Sequence, residues 1–340
     1  MTNTNELQTM KVLYAIQGTG NGHLSRARDV IPILQSKNIE LDLLVSGVQA
    51  DVNLPYEIKY KFHGLSFIFG KKGGVDLWKT YSNTNLSGLR KDIKNLPIEQ
   101  YDLVINDFEP VSAWAAKLKN IPCVSFSHQA AILSKNAPKP KKPNFAGRQI
   151  LKRYAPTQKQ FGIHFKKYNN NIFTPVIRKE IREAETKKLD HYTVYLPAYD
   201  DRRILKLLSQ IPEANWQVFS KHNRKVIKEA NVHIQPINNE SFIESLLTCK
   251  GLFCGGGFEA PAEALFLKKK LMVIPMKGQY EQQCNAAALH KMGVPVISSL
   301  KKKNTQKIKQ WVLNSTPINV NFPNQTEAII DQILSYAKNN

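Results

Sequence analysis

The stretch at residues 251–293 constrains the fold most, because it joins a short apolar strand, three consecutive glycines, an acidic helix and a second apolar strand. The first predicted strand ends at Cys254, the glycines occupy 255–257, and the second predicted strand spans 271–275. This order is half of a nucleotide-binding α/β unit. Glycines let the backbone approach a phosphate, and the amides of the next helix N-terminus bind it.

Polar side chains follow the glycines at spacings that suit a sugar nucleotide. Glu263 lies six residues after Gly257, about two helical turns beyond the loop, where a carboxylate can accept both hydroxyls of a ribose. The connection after the second strand carries Glu281, Gln282 and Asn285. Carboxylate and amide groups of this kind bind sugar hydroxyls.

This combination resembles the donor-binding signature of GT-B glycosyltransferases that use nucleotide sugars. It is similar to the signature of the plant and vertebrate UDP-sugar transferases and of the lipid-linked N-acetylglucosaminyltransferases of cell-wall synthesis. The resemblance implies that Glu263 binds the donor ribose and that Glu281 and Gln282 bind hydroxyls of the donor sugar. Asn285 belongs to the same signature and is expected in the donor site.

The glycine loop carries the expected diphosphate site and departs from the signature at one position. The resemblance implies that Gly256, Gly257 and Phe258 line the diphosphate. The histidine that contacts phosphate in the UDP-sugar transferases falls on Gly255 here. Phosphate binding is then expected to rest on backbone amides, which leaves the identity of the nucleotide open.

A second glycine loop follows the first predicted strand, at residues 11–17, and leads to His23. Its glycines, expected to bind acceptor or phosphate, are Gly18, Gly20 and Gly22. A dinucleotide fingerprint fails, because its third glycine falls on His23 and the next strand ends in Ser46 instead of an acidic ribose ligand. The loop is similar to the first loop of the GT-B transferases, in which one branch places its active-site histidine where His23 lies.

The chemistry of an inverting sugar transfer explains that histidine. The acceptor hydroxyl loses its proton as it attacks the anomeric carbon, and an imidazole with an unperturbed pKa of about 6.5 suits this role. The resemblance implies that Asp107, at the end of another strand, orients His23, and Glu109 competes for the role of base or acceptor ligand. His128 follows a further predicted strand. Because carboxyl ends of parallel strands converge, all four side chains are expected to share one crevice.

The charge of the chain is high and uneven. The formal net charge is +21, and no Asp or Glu occurs between residues 110 and 179. Within residues 130–167, lysines alternate with apolar residues, which suits contact with an anionic membrane and would also suit single-stranded nucleic acid. The lysines expected to contact a membrane are Lys135, Lys139, Lys141 and Lys142. The interleaved apolar residues are Ile132, Leu133, Phe145, Ile150, Leu151 and Phe161.

Length and composition indicate the domain organisation. A chain of 340 residues with 42% hydrophobic residues suits two domains of about 150 residues each. The four cysteines show no paired spacing, so reduced thiols in a cytoplasmic protein are expected. No apolar run approaches the ~20 residues of a spanning helix, and the N-terminus lacks the apolar core of a signal peptide. We therefore expect a cytoplasmic protein that is either soluble or peripheral at the inner face of the membrane.

We predict an α/β GT-B fold with two doubly wound parallel sheets facing each other across a cleft. The acceptor-binding domain is expected over 1–185 and the donor-binding domain over 190–322. A C-terminal helix over 323–340 is expected to pack back toward the first domain. Residues 180–190 are predicted to form a charged helical connector, and residues 67–87 have a composition that suits either an acceptor-facing lid or a surface excursion.

The predicted activity is transfer of a hexose-type sugar from a nucleotide sugar, most simply a UDP-sugar, to a hydroxyl of a glycan, a lipid or a small molecule. No cofactor is expected beyond this co-substrate, and no metal, because helix and amide dipoles can stabilise the leaving diphosphate. A nucleotide-sugar 2-epimerase or a hydrolase on the same fold is the alternative. Charge alone suggests nucleic-acid binding, and no nucleic-acid partner is expected.

Overall fold

The computed structural model describes residues 9–47, 54–64, 69–70, 74–75, 86–142 and 144–338. Within these ranges the chain forms two sheets of mainly parallel strands with helices on their faces, so the predicted α/β class is confirmed. Trp78 and Tyr81 of the predicted lid lie outside the described residues.

The first sheet has seven strands, all parallel. They are β1 (Met10–Gln17), β2 (Ile39–Ser46), β3 (Tyr60–Phe62), β6 (Leu103–Asp107), β7 (Cys123–Ser127), β8 (Lys159–Ile163) and β9 (Ile172–Phe173). A separate antiparallel pair consists of β4 (Phe69–Gly70) and β5 (Gly74–Val75). The spatial order β3-β2-β1-β6-β7-β8-β9 places β1 and β6 side by side, so their carboxyl ends open at the same edge.

Helices cover both faces of this sheet. They are α1 (Asn21–Gln35), α2 (Leu86–Asn95), α3 (Pro110–Lys119), α4 (His128–Leu133) and α5 (Phe145–Tyr154), with a 3-10 turn at Ile98–Gln100. The central strand β1 is buried almost continuously, as expected for a parallel strand covered on both faces. In α1 the buried residues Ala27, Val30, Ile31 and Leu34 recur at helical spacing and fix the face that packs on the sheet.

The second sheet has six strands, of which only the edge strand β12 is antiparallel. They are β10 (Tyr192–Tyr195), β11 (Trp216–Ser220), β12 (Ile227–Glu229), β13 (Val232–Pro236), β14 (Gly251–Gly255) and β15 (Lys270–Ile274), in the order β12-β13-β11-β10-β14-β15. The connector helix α6 (Lys179–Arg182) precedes them. The helices of this half are α7 (Asp201–Leu208), α8 (Asn239–Thr248), α9 (Glu259–Phe266), α10 (Tyr280–Lys291) and α11 (Thr305–Asn314), with a 3-10 turn at Lys302–Asn304.

The last helix, α12 (Thr326–Lys338), returns to the first half of the chain. Ile330 and Ile333 are buried in the same apolar cluster as Leu34 of α1. Lys37, just beyond α1, pairs with Glu327 at 2.7 Å and with a second acidic residue of α12. The C-terminal helix is thus held on the first domain by apolar packing and by surface ion pairs.

The helical prediction for residues 180–190 is wrong for most of that segment, because α6 ends at Arg182. The segment offers one buried apolar side chain, Ile181, whereas Leu189 is 53% exposed. A short helix without an apolar face to bury gains little from packing and is marginal in water. The backbone is instead tied to the second domain, where the Leu189 amide donates to the Thr248 carbonyl at 2.7 Å.

Candidate active site

The loop between β1 and α1 brings His23 to the carboxyl edge of the first sheet. Gly20 precedes the helix with a φ of 96°, a conformation that favours glycine. Gly18 packs against the end of β2, where a Cβ atom would lie 2.9 Å from Val45 Cγ1, and its amide donates to the Ser46 carbonyl at 2.6 Å. These two glycines fix the turn that places His23 in the first turn of α1.

His23 and Asp107 form a hydrogen-bonded pair. Asp107 is the last residue of β6 and is fully buried, and its Oδ1 lies 2.8 Å from His23 Nδ1. Burial alone would lower the pKa of His23, but the charge of Asp107 and this hydrogen bond outweigh burial and raise it. Burial alone would raise the pKa of Asp107, but the charges of Arg26 and His23 lower it. Asp107 is therefore an anion that holds His23 by Nδ1.

Arg26 contacts both His23 and Asp107, and the sequence analysis missed it. Its Nη2 donates to both oxygens of Asp107, at 2.6 and 2.7 Å, and its Nη1 pairs with Glu259 of the second domain. The side chain is 2% exposed. Burial lowers the pKa of Arg26, but Asp107 and Glu259 outweigh it and raise the pKa overall. The spacing could have revealed this residue, because a position three after His23 lies on the same face of a helix.

The N-termini of α1 and α9 meet at Gly22. A Cβ atom at Gly22 would lie 2.6 Å from Glu259 Oε2, so no larger residue fits while Glu259 reaches Arg26. Glu259 is the first residue of α9, in the turn where a carboxylate interacts favourably with the helix dipole. The two halves of the chain are thus in direct contact beside His23.

Gln129 connects His23 to the second domain. Its Nε2 lies 3.3 Å from His23 Nε2 and 3.2 Å from Glu281 Oε2, so one amide group bridges the two. Gln129 lies in α4, immediately after His128. The structure therefore brings Glu281, a residue predicted to bind the donor sugar, to the side of His23 that does not face Asp107.

His128 is enclosed at the boundary between the two halves. Its Nδ1 lies 2.9 Å from the Ile163 carbonyl oxygen and its Nε2 lies 2.6 Å from Asn285 Oδ1. Asn285 Nδ2 donates to the Gly256 carbonyl at 3.1 Å, and the ring of Phe258 stacks on His128 with centroids 3.8 Å apart. Burial lowers the pKa of His128. In this arrangement His128, Asn285 and Phe258 hold the glycine loop against the first domain.

Glu109 caps a helix. Its Oε1 accepts from the Val111 amide and the Ser46 hydroxyl, and its Oε2 accepts from the Ser112 amide. Burial raises the pKa of Glu109 although these hydrogen bonds act in the opposite direction. Within the described residues, the side chains in hydrogen-bonding reach of His23 are Asp107, Arg26 and Gln129. Glu109 therefore stands apart from the three groups that contact His23.

Glu263 forms a buried ion pair with Arg178. Arg178 Nε lies 2.5 Å from Glu263 Oε1, and Nη2 lies 2.9 Å from Oε2, a bidentate geometry. Burial lowers the pKa of Arg178, but Glu263 outweighs it and raises the pKa overall. The sequence analysis did not single out Arg178, which lies among the many cations of the acid-free segment.

The donor loop combines close packing with open space. A Cβ atom at Gly256 would lie 2.9 Å from the Gln282 carbonyl oxygen, so this glycine is required for packing. A Cβ atom at Gly257 would meet nothing within 4 Å, and one at Gly255 would meet only Gln282 Oε1, at 3.8 Å. Gln282 uses that oxygen to accept from the Met276 amide at 2.9 Å and so steadies the turn after β15.

The segment at 130–167 is only partly a surface. Lys139 is occupied within its own loop, because its Nζ donates to the carbonyls of Ile132, Ser134 and Ala137. Three of the interleaved apolar residues, Ile132, Leu151 and Phe161, are buried. Phe145 is 76% exposed and Ile150 is 43% exposed, both on α5. The expectation that Lys139 and the buried apolar residues form a contact surface is therefore wrong, and the exposed part centres on α5.

Metal-binding clusters and membrane-spanning helices are both absent from the part of the chain that the structure describes. Among the described residues there is no group of three or more His, Cys, Asp or Glu side chains placed to hold a metal ion. In the same part of the chain, no helix is long and apolar enough to cross a membrane.

Comparisons with known proteins agree with this architecture. The family model described as glycosyl transferase family 1 matches residues 10–316. No curated protein matches the chain significantly.

Several solved structures are similar over nearly their whole length. The glycosyltransferase SnogD from Streptomyces nogalater has a TM-score of 0.54 at 13% identity, over 96% of this chain and 100% of its own. MurG of Acinetobacter baumannii has a TM-score of 0.54 at 14% identity, over 96% and 99% of the two chains. Phytolacca americana UGT2 has a TM-score of 0.59 at 12% identity, over 98% and 95%. The predicted two-domain GT-B fold is confirmed.

Proposed function

The chain belongs to glycosyl transferase family 1 and is a glycosyltransferase, and we propose that it moves a hexose-type sugar from a UDP-sugar to an acceptor hydroxyl with inversion at the anomeric carbon. The observation that carries the proposal is the His23–Asp107 pair, which lies in the cleft beside Glu281 of the second domain. The nucleotide is carried over from Phytolacca americana UGT2, whose structure contains UDP-2fluoro-glucose.

His23 acts as the general base in this proposal. Its Nδ1 faces Asp107, so the proton sits on Nδ1 and Nε2 is left to take the proton of the acceptor hydroxyl. Asp107 fixes the tautomer and stabilises the imidazolium that forms as the acceptor oxygen attacks. Arg26 keeps Asp107 ionised, and Gln129 marks the side on which the acceptor oxygen approaches Nε2.

The donor lies along the second glycine loop. Gly255 and Gly257 leave room for the diphosphate, and the backbone amides at the start of α9 receive the charge that develops as the nucleotide leaves. No metal ion is needed for that step in this proposal. Glu281 binds the transferred sugar, and Glu263 binds the ribose by exchanging its partner Arg178 for the two hydroxyls.

The acceptor is presented at an anionic membrane, on the cytoplasmic side. Helix α5 supports this, because it combines the exposed apolar side chains of Phe145 and Ile150 with exposed cations. The exposed cations on and before α5 are Lys141, Lys142, Arg148, Lys152 and Arg153. The helix also borders the cleft, since Leu151 shares a buried cluster with Tyr280, the residue before Glu281. A lipid-linked acceptor held by α5 would be near the transferred sugar.

Ligand binding tests the donor. A thermal-shift screen against UDP-, GDP-, TDP- and CMP-sugars should raise the melting temperature most with a UDP-sugar, because a ligand that binds only the folded state stabilises it. Nucleotide release should then be much faster with an added acceptor than without one, when only slow hydrolysis of the donor remains, which separates transfer from epimerisation. Stabilisation by none of the four classes, with no release of nucleotide, would contradict the proposal.

Vesicle sedimentation tests the acceptor surface. Reversing Lys141, Lys142 and Lys152 to Glu should abolish binding to vesicles that contain phosphatidylglycerol, while slow hydrolysis of the donor persists. The matched control reverses the exposed Lys301, Lys302 and Lys303 of the second domain and should retain binding. A wild-type protein that stays in the supernatant at low ionic strength, where electrostatic attachment is strongest, contradicts the membrane part of the proposal.

A further inference from the structure

A cavity of about 540 Å³ lies at the edge of the second sheet opposite the donor loop. Lys250 and Lys270 line it at the start of β14 and β15, whereas the glycine loop follows the carboxyl end of β14. Both segments that join the domains also border it, through Lys188 on the first crossing and Pro317 on the second. The cavity is therefore separate from the cleft and lies where the chain passes between the domains.

Positive charge around this cavity is not balanced. The six lysines that line it are Lys187, Lys188, Lys250, Lys268, Lys269 and Lys270. Glu213 is the acidic residue among the lining side chains that the structure describes, and it is already paired with Lys309 at 2.5 Å. Lys250 pairs with Asp190 at 2.5 Å. Five of the six lysines thus have no carboxylate partner within the described ranges.

Two of the lining lysines, Lys269 and Lys270, donate to carbonyl groups without using all their donors. Lys269 is 7% exposed, and its Nζ donates to the carbonyls of Leu247 at 2.7 Å and Lys187 at 3.4 Å. Lys270 Nζ donates to the Val312 carbonyl at 2.7 Å. Because an ammonium carries three donors, each of these lysines retains at least one. Burial, together with the nearby Lys188, lowers the pKa of both, so an anion in the cavity would relieve their repulsion.

Lys268 stands where the backbone favours glycine. Its φ is 53°, and it closes α9 in a Schellman motif, in which the Lys269 amide donates to the Ala264 carbonyl at 2.9 Å and the Lys268 amide donates to the Leu265 carbonyl at 3.0 Å. Glycine is the usual residue at this position, because a side chain in the left-handed region is strained. A helix C-terminus attracts cations, which accounts for one lysine but not for Lys187, Lys188 and Lys250 from other elements. A lysine kept at a position that favours glycine suggests that its side chain binds a ligand.

We infer that this cavity is a second anion site, which binds a ligand with two or more phosphate groups. Lysines bind phosphate as point charges, and several of them around a pocket raise the local concentration of such an anion. The inference is independent of the donor and of the reaction, because no residue of the cleft takes part in it. A free multiphosphate and a phosphate-bearing lipid headgroup share this chemistry, and the test separates them.

The test compares two doubly substituted proteins of equal charge. The cavity variant carries Lys188→Ala and Lys268→Gly, and the control carries Lys302→Ala and Lys303→Ala, both exposed residues of the same domain. Each is titrated calorimetrically with inorganic tripolyphosphate. Under the proposed function the glycine loop also binds phosphate, so the result is the difference between the two proteins, both of which retain that loop. Lys268→Gly alone should keep or raise the melting temperature, because glycine suits a φ of 53°.

The cavity variant should lose at least about tenfold in affinity for tripolyphosphate, as expected when charge-assisted hydrogen bonds are removed, while the control stays near the wild type. If the cavity variant instead loses binding to vesicles containing cardiolipin, whose headgroup carries two phosphates, and keeps tripolyphosphate binding, the phosphate is that of a lipid headgroup and the site stands. Equal losses in the cavity variant and the control in both assays would overturn the inference, because the net charge alone would then explain binding.

Discussion

The two glycine loops that face each other across the cleft differ in how closely the protein packs around them. Around the first loop, His23, Asp107, Arg26 and Glu259 form one continuous chain of contacts between protein groups. A Cβ atom would meet a neighbour closer than 3 Å at two of the three glycines of the first loop, Gly18 and Gly22, but at Gly256 alone in the second loop. We interpret the difference as preorganisation: the base is oriented before any substrate binds, whereas the donor loop is left open for a ligand.

The largest expected effect comes from disrupting the contacts around the first glycine loop. Arg26→Met leaves the carboxylate of Asp107 buried without its guanidinium, and removing one partner of a buried ion pair costs about 3–5 kcal/mol. The free energy of unfolding, measured by chemical denaturation, should fall by that amount. Lys37→Met provides the control, because Lys37 pairs with the largely exposed Glu327 and Asp331 and should have a much smaller effect. An equal loss of unfolding free energy in the two variants would show that the buried Arg26–Asp107 pair stabilises the fold no more than a surface ion pair does.

The next effect concerns turnover. His23→Ala should lower kcat by about 100-fold or more with donor affinity nearly unchanged, because it removes the proposed general base and no proposed donor ligand. Glu109→Gln should affect mainly stability, since Glu109 caps α3. The assignment of the base passes to Glu109 if Glu109→Gln abolishes turnover while His23→Ala keeps most of it. Steady-state kinetics with calorimetric donor binding separates these results.

Variants of the buried Glu263–Arg178 pair test donor binding by the second domain. Glu263→Ala should weaken donor affinity by about 1.5–3 kcal/mol, the range for hydrogen bonds to a charged group. Arg178→Met should lower the free energy of unfolding but leave donor affinity within a few fold. In the proposed exchange, Glu263 leaves Arg178 and binds the ribose hydroxyls, so Arg178 does not contact the bound donor. Both variants lose the Glu263–Arg178 ion pair, and Arg178→Met also loses the contacts of Nη1 with Glu180 and Asn239, so it should be the less stable of the two. Donor affinity unchanged in Glu263→Ala would make the pair purely structural.

The smallest effect is a shift in pH dependence. His23 must be unprotonated to act as a base, so kcat/KM should fall as the pH drops through its pKa. Asp107 raises that pKa against the effect of burial, so the acid limb should have its midpoint above the unperturbed value of about 6.5. Asp107→Asn removes the charge that raises the pKa and should move the midpoint to lower pH. A midpoint that does not move would separate Asp107 from the titration of His23.

Much of the fold could be predicted from the sequence because its signals are local. The strands predicted at 11–17 and 271–275 lie within one residue of β1 (Met10–Gln17) and β15 (Lys270–Ile274), because a short buried apolar run can be recognised by pattern alone. The helical prediction for residues 180–190 was wrong because the structure of this segment depends on contacts with distant elements, such as the hydrogen bond from the Leu189 amide to the Thr248 carbonyl. Propensity is a weak guide where tertiary contacts decide.

The parts of the site that lie within one domain could be predicted from the sequence. The contacts between the two domains could not. The resemblance to the GT-B transferases, together with the convergence of parallel strand ends, brought His23 and Asp107 into one hypothesis, and the structure places Nδ1 of His23 2.8 Å from Oδ1 of Asp107. The contact between Arg26 and Glu259 joins residues 233 positions apart, and no local pattern signals such a pair. Glu109 was taken for a candidate base because it ends a strand region, although Pro110 at the start of the next helix already indicated a cap.

The stereochemistry of donor hydrolysis tests the central claim most directly, because water can replace an unidentified acceptor. Wild-type enzyme is incubated with an α-linked UDP-hexose, and the first sugar released is followed by NMR before its anomers equilibrate. A single displacement assisted by His23 predicts the β-anomer as the first product, formed far more slowly by His23→Ala. Early release of the α-anomer would contradict the account, because it requires a second displacement that this arrangement of His23 and Asp107 does not provide.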